Sequence, residues 1–381
     1  MNNFLAQANN LRDKLLEIRK QFHRIPEIGN HEFKTAGLIE KYLDESGISH
    51  KRVLDTGIIA KLDGTKPGRN SALRTDIDAL PINEATNCEF ASQNPGFMHA
   101  CGHDVHITGV LGAAMILANN RENLSGSVTF LFQPDEEGDG GAERLIKLGA
   151  LDGIDAVFGA HVDPTLKAGD IGIKYGNFYA SSAMFNIRVI GKSSHGAQRN
   201  KGVDSIEAAS HLIIELLNMN APGQVVTVGK FTAGTARNIL AGESDLQGII
   251  RTFGVNERSK MCDELKNLTR EIPAKFGAKS ECEIISSAPG VINDNDKINL
   301  FVEKISRETL GSEHVKIIDT PTMISEDFGC YIMAKTGCFY HIGAESEYPL
   351  HSDKFLPKDD AIITASAIHS AVVTNFNMGL I

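Results

Sequence analysis

Between residues 179 and 291 the hydrophobic pattern spells strand, helix, strand, strand, helix, strand, and a different pattern flanks it on both sides. The strands are predicted at Met184 to Ile190, Val225 to Phe231, Gly248 to Phe253 and Glu281 to Ser286, with helices at Asp204 to Leu217 and Glu257 to Phe276. This β-α-β-β-α-β order is that of a ferredoxin-like unit, which closes a core of its own and can therefore interrupt another domain. Ahead of it, amphipathic helices near residues 4 to 23 and 32 to 46 lead into apolar runs at Gly57 to Ala60 and Ser71 to Arg74. A helix from Ile107 to Asn119 and buried strands at Val128 to Phe132 and Ala156 to Ala160 follow. After residue 292 the α/β character returns and ends in an apolar helix from Ala361 to Val373. A chain of 381 residues exceeds one ordinary core. The expected fold is thus α/β in two domains. A mixed-sheet catalytic domain takes 1–178 and 292–381, and an α+β ferredoxin-like domain is inserted at 179–291.

Charge bounds what such a chain binds. Asp and Glu number 48 against 38 Lys and Arg, a formal net charge of -10. Nucleic-acid binding needs basic patches, and none is evident; carboxylates suit cations instead. No apolar run approaches the roughly 20 residues that span a bilayer, so no membrane partner is expected. The first helix carries charges throughout, unlike an export signal, and the six cysteines are scattered. A cytoplasmic location with reduced thiols is expected.

The chemistry concentrates where apolar strands run into polar residues, the place where open α/β sheets gather ligands. The stretch Met98-His99-Ala100-Cys101-Gly102-His103-Asp104-Val105-His106 packs four imidazole or thiol groups into eight positions. Thiolate and neutral imidazole are preferred ligands of zinc and related ions, and residues two apart in an extended segment point the same way, so Cys101 and His103 can hold one site. Glu136 and Glu137 follow the strand ending at Phe132, His161 follows another, and His351 sits beside a proline turn. Each alone has an ordinary surface explanation. Together Cys101, His103, Glu137, His161 and His351 supply enough nitrogen, oxygen and sulfur for two divalent ions, with Cys101 as the expected bridge. Two ions about 3.5–4 Å apart polarise a scissile carbonyl and acidify a bound water. Glu136, left over beside Glu137, is then the expected general base, taking the water proton and returning it to a leaving amine.

At these residues the sequence resembles the aminoacylase and carboxypeptidase family of cocatalytic metallopeptidases, in its hippurate-hydrolase-like amidohydrolase branch. The motifs that carry the resemblance are Arg74 to Pro81, His99 to His106, Glu136 to Gly138, Gly159 to Val162, Gly191 to Ala197, Ala236 to Asn238 and Ser325 to Phe328, and they occur in the family's order. The resemblance implies the same five metal ligands, Glu136 as base, and Asp76 behind them, orienting a ligand histidine. It also makes the inserted domain a lid and dimerisation domain, and hence the chain a homodimer or higher oligomer. His195, a surface histidine by its local sequence, becomes a stabiliser of the tetrahedral oxyanion, and Asn238 a partner for the substrate carboxylate or carbonyl, with Arg237 and Arg251 as lesser candidates.

One position departs from the branch. After His195-Gly196-Ala197 many relatives carry proline and histidine where this chain has Arg199 and Asn200. An added cation there could favour an acidic substrate. The expected reaction is hydrolysis of the amide of a small N-acyl amino acid, with two ions drawn from zinc, manganese, cobalt or nickel. A dipeptidase or carboxypeptidase would use the same site. A non-catalytic metal-binding protein would not need Glu136, and a cysteine hydrolase built on Cys101 would not need metal.

Overall fold

The computed structural model describes residues 3–138 and 140–381. The chain forms two compact units: Met1–Gly176 with Asn293–Thr320 and Cys330–Ile381, and Asn177–Ile292 with Pro321–Gly329. The last of these segments was expected in the returning catalytic part. It joins the inserted unit because Thr322 N donates to Phe178 O (2.9 Å), Ala180 N to Ile324 O (2.9 Å) and the Arg251 guanidinium to Met323 O (2.8 Å).

The first unit is built on an eight-stranded mixed sheet. Its strands lie in the order Ser49–Val53, Gly57–Asp63, Ser125–Gln133, Lys66–Asp76, Ala156–Asp163, Gly337–Gly343, Ile171–Ile173 and Val315–Ile317. The four central strands run parallel, and antiparallel pairs flank them. Ser125–Gln133 is buried at every position but one, as expected of a parallel strand covered on both faces. Helix His103–Asn119 is buried from His103 to Leu117 and packs against Asp360–Asn377. Glycines make that packing close: a Cβ on Gly109 would stand 2.7 Å from Ala365 Cβ, and one on Gly112 2.2 Å from Ser366 Oγ. The helix predicted over residues 4 to 23 is two, Phe4–Asn10 and Arg12–His23, parted at Leu11 (φ -95°, ψ 0°). Asn9 and Asn10, weak helix formers, precede the break.

The second unit is ferredoxin-like. An antiparallel sheet holds Lys279–Ala288, Ser181–Ile190, Glu243–Thr252 and Gln224–Ala233 in that order, which is 4-1-3-2 in chain sequence. Ser181–Ile190 alternates strictly, so Ala183, Phe185, Ile187 and Val189 face inward. Helices Ser205–Asn218 and Val255–Ala274 cover that face with Leu212, Leu216 and Leu265. Asp204 caps the first of them, accepting from Ile206 N and Glu207 N.

Candidate metal centre

The carboxyl ends of the central strands place the polar side chains of one site. Asp76 ends one strand, Gln133 ends its neighbour just before Glu136 and Glu137, and His161 lies near the end of a third. Cys101 and His103 do not meet as alternate residues of an extended segment. Gly102 between them adopts φ +86° and forms the N-cap of helix His103–Asn119, so a left-handed turn followed by the first helical residue aims both side chains at one point. A Cβ at Gly102 would lie 2.5 Å from Val162 Cγ2, in the strand that carries His161. The turn containing His351 (φ +64°) is held against the same place, His351 N donating to Ala100 O at 2.9 Å.

The donor atoms converge in two overlapping groups. Those of Cys101, His103 and His161 lie within 4.8 Å of one another, as do those of Cys101, Glu137 and His351, and Cys101 is common to both. Cys101 Sγ is 3.3 Å from His161 Nε2, and Glu137 Oε1 is 3.3 Å from His351 Nε2 and 4.0 Å from His103 Nε2. Glu136 joins His103 and Glu137 in a further group at the same range.

Hydrogen bonds fix the tautomers. His103 Nδ1 donates to Asp78 O (2.8 Å) and His161 Nδ1 to Val162 O (2.8 Å), so each turns its Nε2 toward the cluster. His103 Nε2 and Glu137 Oε1 are buried with no hydrogen-bond partner among the described residues. Such orphaned polar atoms are costly unless a cation takes them, and these residues therefore fit divalent ions. The electrostatics agree. Burial opposes charge on His103, yet the carboxylates of Asp76, Asp78 and Glu137 raise its pKa to about 10. Burial, with Glu137 and Glu136, pushes the Cys101 thiol well up. A negative, dry pocket holds protons where a cation belongs.

The ring of ligand candidate His103 is held by Asp78, which also accepts Glu137 N on Oδ2 at 2.9 Å. Asp76, expected behind a ligand histidine, bonds instead to His106 Nδ1 (2.7 Å) and Arg74 (2.8 Å), and its Oδ2 stands 3.8 Å from His103 Nε2. His106 Nε2 accepts from Val162 N (2.9 Å), so both ring nitrogens of His106 are engaged within the protein. Arg74 goes on to Gln133 (2.9 Å), which Tyr331 also reaches (3.0 Å). The loop before the two glutamates is clamped too. Asp135 sits at φ +59°, its N–H on buried Glu32 and its carboxylate on Asn30 and Arg144. Sequence reading missed Asp78, Glu32 and His106 as supports. Asp78 lies two residues after Asp76 and His106 one turn after His103, which are the only signals that point to them.

His195, Asn238, Arg237 and Arg251 belong to the inserted unit. There His195 pairs with Ile239 in a β-bridge and Gly196 N donates to Asn238 O (2.9 Å), which joins the His195 and Asn238 loops; His195, Arg237 and Asn238 are exposed. Arg251 is half-buried on Met323 O. Arg199 pairs with Asp204 at 3.0 Å and Glu207 at 2.6 Å, at the start of the helix that follows it.

A set of thiol, imidazole and carboxylate donors, buried at Cys101, His103 and His161 and exposed at His351, sufficient for two divalent ions and flanked by a further carboxylate, defines a metal-dependent hydrolytic centre. The peptidase family M20/M25/M40 matches residues 72–375. The chain is 36% identical over 369 residues to the N-acetyl-L-cysteine deacetylase of Bacillus subtilis (strain 168), covering 95% of this chain and 88% of that protein. To the thermostable carboxypeptidase 1 of Saccharolobus solfataricus it is 31% identical, covering 96% of each. Its fold superposes on the YXEP protein of Bacillus subtilis, a dinuclear metal-binding peptidase from the M20 family, with a TM-score of 0.87, 32% identity and coverage of 96% and 98%. The chain belongs to peptidase family M20/M25/M40, and it is a metal-dependent amide hydrolase with a site for two divalent ions. Among the described residues no helix is long and apolar enough to cross a membrane.

Proposed function

We propose that the protein is a deacylase of small N-acyl amino acids, acting in the cytoplasm. The observation that carries this reading is the pairing of two donor groups through Cys101, with Glu136 beside them, in a chain 36% identical to an N-acetyl-L-cysteine deacetylase. Cys101, His103, Glu137, His161 and His351 would hold the two ions, Cys101 being common to both donor groups. When bound, the ions supply Lewis acidity toward the scissile carbonyl and lower the pKa of water.

The remaining work falls to the protein. Asp78 orients the His103 ring and holds the Glu137 backbone, so two ligands share one support. Glu136 accepts a proton from the attacking water and delivers it to the leaving nitrogen, which lets the amine depart neutral. Glu137 faces His351 and His103, which favours Glu137 as the ligand of the pair and Glu136 as the base. The clamp of Glu32, Asn30 and Arg144 on Asp135 fixes where the loop presents Glu136. From the inserted unit, His195 would stabilise the oxyanion, and Asn238, with Arg237 and Arg251, would contact the substrate carboxylate or carbonyl, roles supported by the family resemblance. The same resemblance supports a homodimer formed through that unit.

The test is a hydrolysis panel of N-acetyl and N-benzoyl amino acids alongside dipeptides, run on metal-reconstituted protein. The deacylase reading expects kcat/KM for the best N-acyl amino acid to exceed that for any dipeptide by at least tenfold. Preference for dipeptides with free amino termini would overturn it in favour of a peptidase.

A further inference from the structure

The chain makes no helix or regular strand between Asp76 and His103. Connections of that length are held by specific anchors or serve a site. Here the anchor is Glu84, whose side chain is 4% exposed. It accepts from Ser92 N (2.7 Å) and the Thr86 hydroxyl, and its Oε1 faces His23 Nε2 at 3.2 Å and Cys88 Sγ at 3.8 Å. His23 closes helix Arg12–His23 and is fully buried. Its other nitrogen, Nδ1, bonds Asp104 Oδ2 (2.9 Å), and Arg19 Nε steadies the same oxygen (3.0 Å).

A buried carboxylate on one nitrogen of a histidine, with thiol and carboxylate donors facing the other, is the support that metal-bound histidines use. The donor atoms of His23, Glu84 and Cys88 all lie within 4.8 Å of one another. A tetrahedral ion bound at 2.0–2.3 Å spaces its donors about 3.3–3.8 Å apart, close to the two separations given above. Charge balance points the same way. Arg19 offsets Asp104, which leaves the Glu84 carboxylate and, once deprotonated, the Cys88 thiolate for a divalent cation.

We infer that His23, Glu84 and Cys88 form a third metal site, separate from the catalytic pair, that takes zinc with water as its fourth ligand. A mixed sulfur, nitrogen and oxygen set selects zinc over magnesium or calcium. Binding exchanges the proton on His23 Nε2 and the Cys88 thiol proton for the ion, releasing both to solvent. The ion ties the Pro81 to Phe97 connection to helix Arg12–His23. Through Asp104, it also braces the first turn of the helix that presents His103.

Chelator-stripped protein is titrated with zinc, and the bound metal is counted by mass spectrometry after removal of free ion. Wild type is expected to retain three zinc ions per chain and Cys88→Ala two. Two in wild type, or the same number in both, overturns the inference. A second measurement needs no variant: iodoacetamide labelling of Cys88, read by peptide mass, should fall at least tenfold when zinc is added. Equal labelling with and without zinc refutes the site. Neither readout depends on which amide the enzyme cleaves.

Discussion

Gly102→Ala probes the turn on which the metal centre depends. At φ +86° an alanine pays the left-handed penalty of about 1–2 kcal/mol. Its Cβ would come within 2.5 Å of Val162 Cγ2, more than an ångström inside contact, and Phe355 at 3.4 Å blocks the other side. Relieving that overlap moves the strand bearing His161, an overpacking cost of about 1–3 kcal/mol. The lower entropy of the unfolded alanine chain adds roughly another 0.5 kcal/mol to the stability of the wild-type-like fold, in partial compensation. The net loss is about 1.5–4.5 kcal/mol, a fall in Tm of roughly 3–8 °C for a unit of this size. Because Cys101, His103 and His161 shift relative to one another, metal affinity should fall at least tenfold, beyond what stability alone explains. Calorimetry of the metal-free protein and isothermal titration with metal read the two effects separately. A variant with unchanged Tm and wild-type metal affinity would refute the claim that this turn builds the site.

Three further outcomes are expected. Burial pushes Glu32 from 4.5 to about 7 against its hydrogen bonds from Thr56 and Asp135. The folded protein therefore keeps a proton that the unfolded chain releases between pH 4.5 and 7, so this group's contribution falls as pH rises through that window, by roughly 3 kcal/mol. Denaturant melts at pH 5 and 8 should show Glu32→Gln losing less stability over this range than wild type, and parallel losses would contradict the assignment. Asp78→Ala should weaken metal binding by about 10-fold, measured by competition with a chromophoric chelator, since it frees the Glu137 backbone from Oδ2 and removes the carboxylate oxygen 3.3 Å from His103 Nδ1, while the backbone carbonyl of residue 78 still holds the ring. Arg199→Ala should leave the ratio of kcat/KM for acidic and neutral N-acyl amino acids unchanged, because its guanidinium is engaged by Asp204 and Glu207; a shift above threefold would restore a role in selectivity.

The ferredoxin-like insertion was readable because Ser181–Ile190 alternates strictly and its helices carry clean amphipathic faces. The end of Ser125–Gln133 was readable too, since Phe132-Gln133 switches abruptly from apolar to polar, whereas the same switch at Ala160-His161 falls inside strand Ala156–Asp163. Harder to see was the way Cys101 meets His103. Period-two reasoning assumed extended chain, whereas the conformation turns on one glycine whose φ no local pattern specifies. The roles of Asp76 and Asp78 were equally hidden. Two carboxylates two residues apart read alike, and only the strand's end decides that Asp76 meets His106 with its carboxylate while Asp78 meets His103 with its backbone carbonyl. Pro321–Gly329 fell on the wrong side of a boundary because its attachment to the inserted unit is by backbone hydrogen bonds, which leave no signature in side-chain composition.

The central claim is that metal held by these residues and the carboxylate of Glu136 together break the amide. It is tested most directly by Glu136→Gln, loaded with metal to the same stoichiometry as wild type and assayed on the best substrate of the panel. The account predicts unchanged metal binding with turnover lowered by about 10²- to 10⁴-fold, and no turnover in either protein after chelation. Wild-type turnover in the metal-loaded variant, or activity that survives complete metal removal, would contradict it.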